Sequence, residues 1–170
     1  MSIRNPTELE KHFGNIPLEH IIANNILDKY GNTALHAAIV FNDSNKFYIS
    51  QLNIFNHIKN NKGNTPLHLA CARGDVLFLY YLIHKYAVNI YEINNDGKNL
   101  LDVAIGFKQK EVIIILIKYY YTEDKHIFKY IKSQIKKLIN LEETFDKEEL
   151  QYITECFCKN FTKDDNTPSN

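Results

Sequence analysis

One nine-residue phrase occurs three times in this chain and constrains its fold more than any other feature. Asp28-Lys29-Tyr30-Gly31-Asn32-Thr33-Ala34-Leu35-His36 returns as Asn60-Asn61-Lys62-Gly63-Asn64-Thr65-Pro66-Leu67-His68. It returns again, altered, as Asn94-Asn95-Asp96-Gly97-Lys98-Asn99-Leu100-Leu101-Asp102. The glycines stand 32 and then 34 residues apart. A repeat of that period encodes one supersecondary unit several times over. Such a unit cannot bury its apolar face alone, so its copies must stack, and stability is shared between neighbours.

The phrase can be read physically. An Asx residue three positions before Gly suits a tight turn, since Gly tolerates positive φ. Thr33 and Thr65 then stand where a hydroxyl can accept from a free backbone N–H at a helix start. Pro66 falls on the first helical position, where a missing donor costs nothing. Short residues follow, Ala37, Ala38, Ala70, Cys71, Ala72 and Ala104, allowing close helix packing. Each second helix carries bulk: Phe47, Ile49, Leu52 and Ile54; Val76, Leu79, Leu82 and Ile83; Val112, Ile113, Leu116 and Ile117.

The stretch GNTPLHLA, beginning at Gly63, resembles the ankyrin repeat, whose period is near 33 and whose signature is a turn followed by TPLHxA. Gly74-Asp75 matches that family's inter-helix turn. The resemblance covers residues 28 to 121. It implies an all-α ankyrin-repeat solenoid of stacked helix-turn-helix units with β-turn fingers. The expected repeats are 28–59, 60–93 and 94–121. The first has Asn42-Asp43 where Gly-His is usual. The third has Asn99, Leu100 and Asp102 for Thr, Pro and His.

A stack needs polar-faced ends, so helical caps are expected at both. Residues 1–27 read as an N-terminal cap or truncated repeat. There Thr7-Glu8-Leu9-Glu10 has the form of a capping box, and Pro17 opens a second helix. Residues 122–163 read as a C-terminal helical cap, with Thr122 at the start of a helix to about residue 139. Residues 164–170, DDNTPSN, read as a disordered tail.

Composition excludes several function classes. Twenty basic and twenty acidic residues give zero formal charge in 170 residues, against a protein devoted to nucleic acid. The longest aliphatic run, residues 112–117, is too short for a membrane span of about 20 residues. The N-terminus lacks the apolar region of a secretory signal. Three Cys do not make a disulfide framework. The expected setting is cytoplasmic, or the cytosol of a host, and the expected state is a monomer.

No catalytic, cofactor or metal site is expected. The chain has no Gly-rich phosphate loop, G-x-S-x-G elbow or H-E-x-x-H motif. Cys156 and Cys158 diverge at i, i+2 on a helix and lack further ligands for zinc. Cys71 occupies an inert core position. The resemblance implies that His36 and His68 bond backbone across neighbouring turns. Lys125, Lys129, Lys132, Lys136 and Lys137 share one side of a predicted amphipathic helix over 122–139, beside an apolar stripe. This reads as a solvated capping helix, or alternatively as a basic patch for an acidic partner or membrane surface.

The family resemblance implies non-enzymatic binding of another protein through a concave face of turn tips and first helices. Residue by residue, that face comprises Lys29, Tyr30, Asn32, Val40 and Phe41. The second repeat adds Asn61, Lys62, Asn64 and Arg73. The third adds Asn95, Asp96, Lys98 and Phe107. Tyr30, Phe41, Arg73 and Phe107 are of the types that dominate interface energetics, although Phe41 and Phe107 could instead pack beneath a neighbouring helix. An Asn-, Ile-, Lys- and Tyr-rich composition with A/T-rich codons resembles ankyrin proteins of intracellular bacteria and large DNA viruses, which engage host proteins. A host-directed effector or inhibitor is one version of this reading. A recruited adaptor using the basic helix, or a small enzyme-regulatory protein, is the alternative.

Overall fold

The computed structural model describes residues 6–52, 56–86 and 88–123, with single positions at 133, 147, 148, 151 and 155. The chain divides into two compact units, Met1–Gln109 and Lys110–Asn170. Among the described residues the first contains seven helices: α1 (Glu8–His12), α2 (Leu18–Ala23), α3 (Ala34–Val40), α4 (Asn45–Gln51), α5 (Pro66–Arg73), α6 (Val76–Lys85) and α7 (Leu100–Gly106). The second contains α8 (Lys110–Glu123). No strand occurs among the described residues.

Side chains start these helices. At α1, Glu10 N–H donates to Thr7 Oγ1 at 3.1 Å, and Thr7 N–H donates back to Glu10 Oε2 at 2.7 Å. The other Glu10 oxygen accepts from Leu18 N–H at 3.1 Å, tying the start of α2 to α1. At α3 the reciprocal partner is a histidine: Thr33 N–H donates to His36 Nδ1 at 3.3 Å. Thr65 and His68 repeat this at α5, at 3.2 Å. At α7 the altered third phrase keeps the arrangement with different chemistry. Asp102 N–H donates to Asn99 Oδ1 at 3.0 Å, and Asn99 N–H donates to Asp102 Oδ2 at 3.2 Å. Asn accepts as well as Thr at a helix start, so the loss of Thr and His leaves the cap intact.

The ends of the first helices match equally well. Asn42, Gly74 and Lys108 all have left-handed backbones, with φ of 54°, 72° and 57°. The next residue in each case donates its N–H five residues back: Asp43 to Ala38, Asp75 to Ala70 and Gln109 to Ala104. Asn and Gly enter this region readily, whereas Lys108 carries local strain of about 1–2 kcal/mol.

The core is a row of first helices. α3 packs on α5, and α5 on α7; α4 and α6 lie against their own first helices, and α1 and α2 meet α3. Leu35, Ala38 and Ile39 on α3, Leu67, Ala70 and Cys71 on α5, and Leu100, Leu101 and Ala104 on α7 are fully or almost fully buried. The small side chains let the axes approach, as the sequence predicts. Burial raises the Cys71 thiol pKa well above its ordinary value, so the thiolate does not form at neutral pH.

Aromatic rings and one ion pair join α4 to α6. Phe47 meets Phe78 and Tyr81 edge-on at centroid distances of 5.2 and 5.1 Å. Lys46 is buried, and its ammonium pairs with Asp75, which also caps α6 by accepting from Phe78 N–H at 3.2 Å. Lys46 further donates to Asn42 Oδ1 at 2.7 Å and lies 5.6 Å from the Phe78 ring centroid. A buried charge is tolerable only with such partners.

Three sequence expectations need correction. Leu52, expected in the core, is exposed at the C-cap of α4. Ala72, expected at a helix contact, is half-exposed. Thr122 does not begin a helix but lies within α8, because no Gly or Pro interrupts Lys110–Glu123. On α8, Val112, Ile113, Leu116, Ile117 and Tyr120 are buried at the spacing of one helical stripe. The five lysines of the predicted basic patch, Cys156, Cys158 and the expected tail lie outside the described residues, and Ile54 does too.

Candidate functional site

The three turns form fingers held to each other by a ladder of hydrogen bonds. Within a finger, the leading Asx side chain accepts from two backbone amides. Asp28 accepts from Tyr30 and Asn32, Asn60 from Lys62 and Asn64, and Asn94 from Asp96 and Lys98, all at 2.8–3.1 Å. Between fingers, Asn61 N–H donates to Tyr30 O at 3.0 Å and Asn95 N–H donates to Lys62 O at 3.1 Å. Asn60 Nδ2 donates to Asn32 Oδ1 at 2.8 Å, and Asn94 Nδ2 to Asn64 Oδ1 at 2.9 Å.

The histidines lock this ladder to the helices. His36 Nδ1 accepts at the start of α3, which leaves Nε2–H to donate to Asn64 O of the next finger at 2.9 Å. His68 does the same toward Lys98 O at 3.3 Å. Both rings are buried. Burial lowers the His36 pKa to about 4 and lowers that of His68. Both imidazoles are therefore neutral at pH 7, in the tautomer that the ladder needs.

Two fingers touch so closely that a side chain would not fit. A Cβ on Gly63 would lie 2.7 Å from the Asn95 backbone nitrogen, and one on Gly31 would lie 3.0 Å from that of Asn61.

A groove of about 730 Å³ runs between the fingers and α3, α5 and α7. Nine of the thirteen predicted face residues line it: Tyr30, Asn32, Val40, Asn61, Lys62, Asn64, Asp96, Lys98 and Phe107. Tyr30 and Phe107 are 54% and 62% exposed, so Phe107 is not tucked beneath a neighbour. Lys29, Phe41, Arg73 and Asn95 fall outside the lining. Phe41 is exposed and meets the His12 ring at 5.1 Å. Arg73 reaches back to cap α3, donating to Val40 O at 2.6 Å. Asn95 holds the ladder through Asn61 O, at 3.0 Å. Asn32, Asn61 and Asn64 line the groove while also serving as ladder rungs.

The sequence reading missed the floor. Leu69 and Ala72 on α5, and Val103 and Gly106 on α7, line the groove. The signal was present: each pair is spaced i, i+3, and the two pairs are related by the repeat period of 34. The missed polar lining, Asn60, His68, Asn94 and Asp102, belongs to the ladder and the helix caps.

The charges at the fingers divide into paired and unpaired. His12 Nε2 meets Asp28 Oδ2 at 2.8 Å, and Lys59 meets Glu92 at 2.5 Å. Burial alone would raise the Asp28 pKa. Its hydrogen bonds from His12, Asn32 and Tyr30 more than offset that and hold it below the ordinary carboxylate value. Lys29, Lys62, Lys98 and Asp96 form no ion pair among the described residues. The Lys29 ammonium instead lies 4.9 Å from the Tyr30 ring centroid. No cluster of three or more His, Cys, Asp or Glu suited to a metal occurs among the described residues, and no described helix is long and apolar enough to cross a membrane.

Comparison with known proteins adds one finding. No curated protein matches the chain. A family model described as ankyrin repeats (3 copies) matches residues 44–128.

Proposed function

Because the chain belongs to the ankyrin-repeat family, whose repeats are generally protein–protein interaction modules, we propose that it binds a partner protein in the groove between its fingers and first helices, without catalysing a reaction. The groove itself carries this reading. It joins an apolar floor to exposed aromatic and charged side chains, the mixture found at the centres of protein interfaces. α1 and α2 act in this reading as the cap of the first repeat. A cytoplasmic setting, in its own cell or in a host, and a role as effector or inhibitor complete the proposal.

The test is capture from lysate followed by mass spectrometry, comparing the full chain with a Tyr30→Ala, Lys62→Ala, Phe107→Ala triple variant. These side chains are exposed, so the melting temperature should stay unchanged while partners are lost. A control variant, Leu77→Ala with Tyr80→Ala on the exposed side of α6, should retain them. Equal capture by the groove variant and the parent would reject the site.

A further inference from the structure

The ladder limits what can occupy the groove. The backbone groups joining the fingers and the Asn60 and Asn94 amides are already paired with neighbouring fingers. An occupant therefore cannot be held mainly by adding a strand to a free edge here, and must be read through its side chains. The floor offers apolar contact at Leu69 and Val103, and Ala72 and Gly106 leave depth there. Such a floor suits one bulky apolar side chain, because area buried at the centre of a contact contributes most.

Charge supplies the second constraint. At the first two fingers there is one carboxylate, Asp28, which accepts hydrogen bonds from Tyr30 and Asn32 and meets the His12 ring, and no other acid lies on those turns. Lys29 and Lys62 have no ion pair among the described residues and outnumber Asp28 two to one, so this end of the face has a net positive charge. The acids that line the groove, Asp96 and Asp102, both belong to the third repeat, where Lys98 stands beside them.

We propose that the groove takes an extended acidic segment, with one bulky apolar side chain on the α5–α7 floor and its carboxylates toward Lys62 and Lys29. This rests on the groove being the binding face, and it names the chemistry of the occupant. Opposite charges favour association and orientation, and like charges oppose them. Lys62 and Asp96 should therefore affect the same ligands in opposite directions.

A random dodecapeptide library displayed on phage, selected on the immobilised full chain, tests this. The enriched peptides should pair Asp or Glu with Leu, Ile or Phe. In fluorescence anisotropy with the enriched peptides, Lys62→Glu should weaken binding tenfold or more, and Asp96→Lys should strengthen it several-fold. High salt should shrink both effects. Basic or charge-neutral peptides lost on Phe107→Ala would overturn the acidic occupant while leaving the groove as the binding site. Acidic peptides indifferent to Lys62→Glu would overturn it too, as would a selection yielding no binders. In that last case the capture experiment above decides separately whether the groove binds folded proteins.

Discussion

Acidification should loosen this fold, and His36 sets the size of the effect. In the folded chain its imidazole is neutral, with a pKa of about 4 against an ordinary 6.5. The unfolded chain therefore binds a proton below pH 6.5 that the folded chain refuses until about pH 4. Stability rises with pH wherever the unfolded state holds more protons, so this contribution is lost as pH falls through that window. Integrating the two titrations gives a loss of about 2 kcal/mol from pH 7 to 5, reaching about 3 kcal/mol at pH 4. His68 shifts in the same direction and adds to the loss. The carboxylates lowered by their partners, Asp28 and Glu92, act only below their ordinary values near 4. The assay is urea unfolding followed by helical circular dichroism at pH 7, 6 and 5. With a slope of about 2 kcal/mol per molar, the midpoint should fall by about 1 M between pH 7 and 5. His36→Gln can keep an acceptor and a donor without a proton to gain, so its pH dependence should be about 2 kcal/mol shallower. Coincident curves at pH 7 and 5, or a His36 proton resonance titrating near 6.5, would refute the argument.

Three further outcomes follow from the same geometry. Gly63→Ala should lose at least twice the stability lost by Gly97→Ala in urea melts. Both alanines meet a left-handed backbone worth about 1 kcal/mol, but only the first meets the next finger. Lys108→Gly should raise stability by about 1 kcal/mol by releasing strain, and an unchanged melting temperature would place that strain elsewhere. Lys46→Met should cost about 3–5 kcal/mol by leaving Asp75 unpaired, and adding Asp75→Asn should recover part of it, which a double-mutant cycle measures.

The fold was largely legible because its signals are local and repeated. Thr33, Thr65 and Pro66 announce helix starts through chemistry confined to a few residues. The repeat period then sets how the units stack. The third repeat was harder to read because Asn99 and Asp102 keep the cap while discarding its letters. Lys108 gives no turn signal of its own: its left-handed backbone places Gln109, whose N–H reaches Ala104 O and whose side chain reaches Ala72 O. The groove was only half visible. Turn tips such as Tyr30 and Lys62 follow from the phrase, but the floor depends on which helix side faces the fingers. Arg73 shows the other limit. Its type suggested a contact residue, while three-dimensional proximity to the end of α3 gives it a cap to make. The 32-residue separation between Arg73 and Phe41, its counterpart in the first repeat, could not reveal this.

The ladder also carries an order. His36 donates a hydrogen bond to the second finger and His68 donates one to the third, but Asp102, in the equivalent place, serves as an acceptor, taking the Asn99 N–H. Exchanging the second and third repeats would set a carboxylate against a carbonyl oxygen, two acceptors with nothing between them. The units look interchangeable on paper, yet each is written for one neighbour. Anyone building with them as parts would have to carry the seams along with the pieces, or rewrite Asp102 as His before moving that repeat inward.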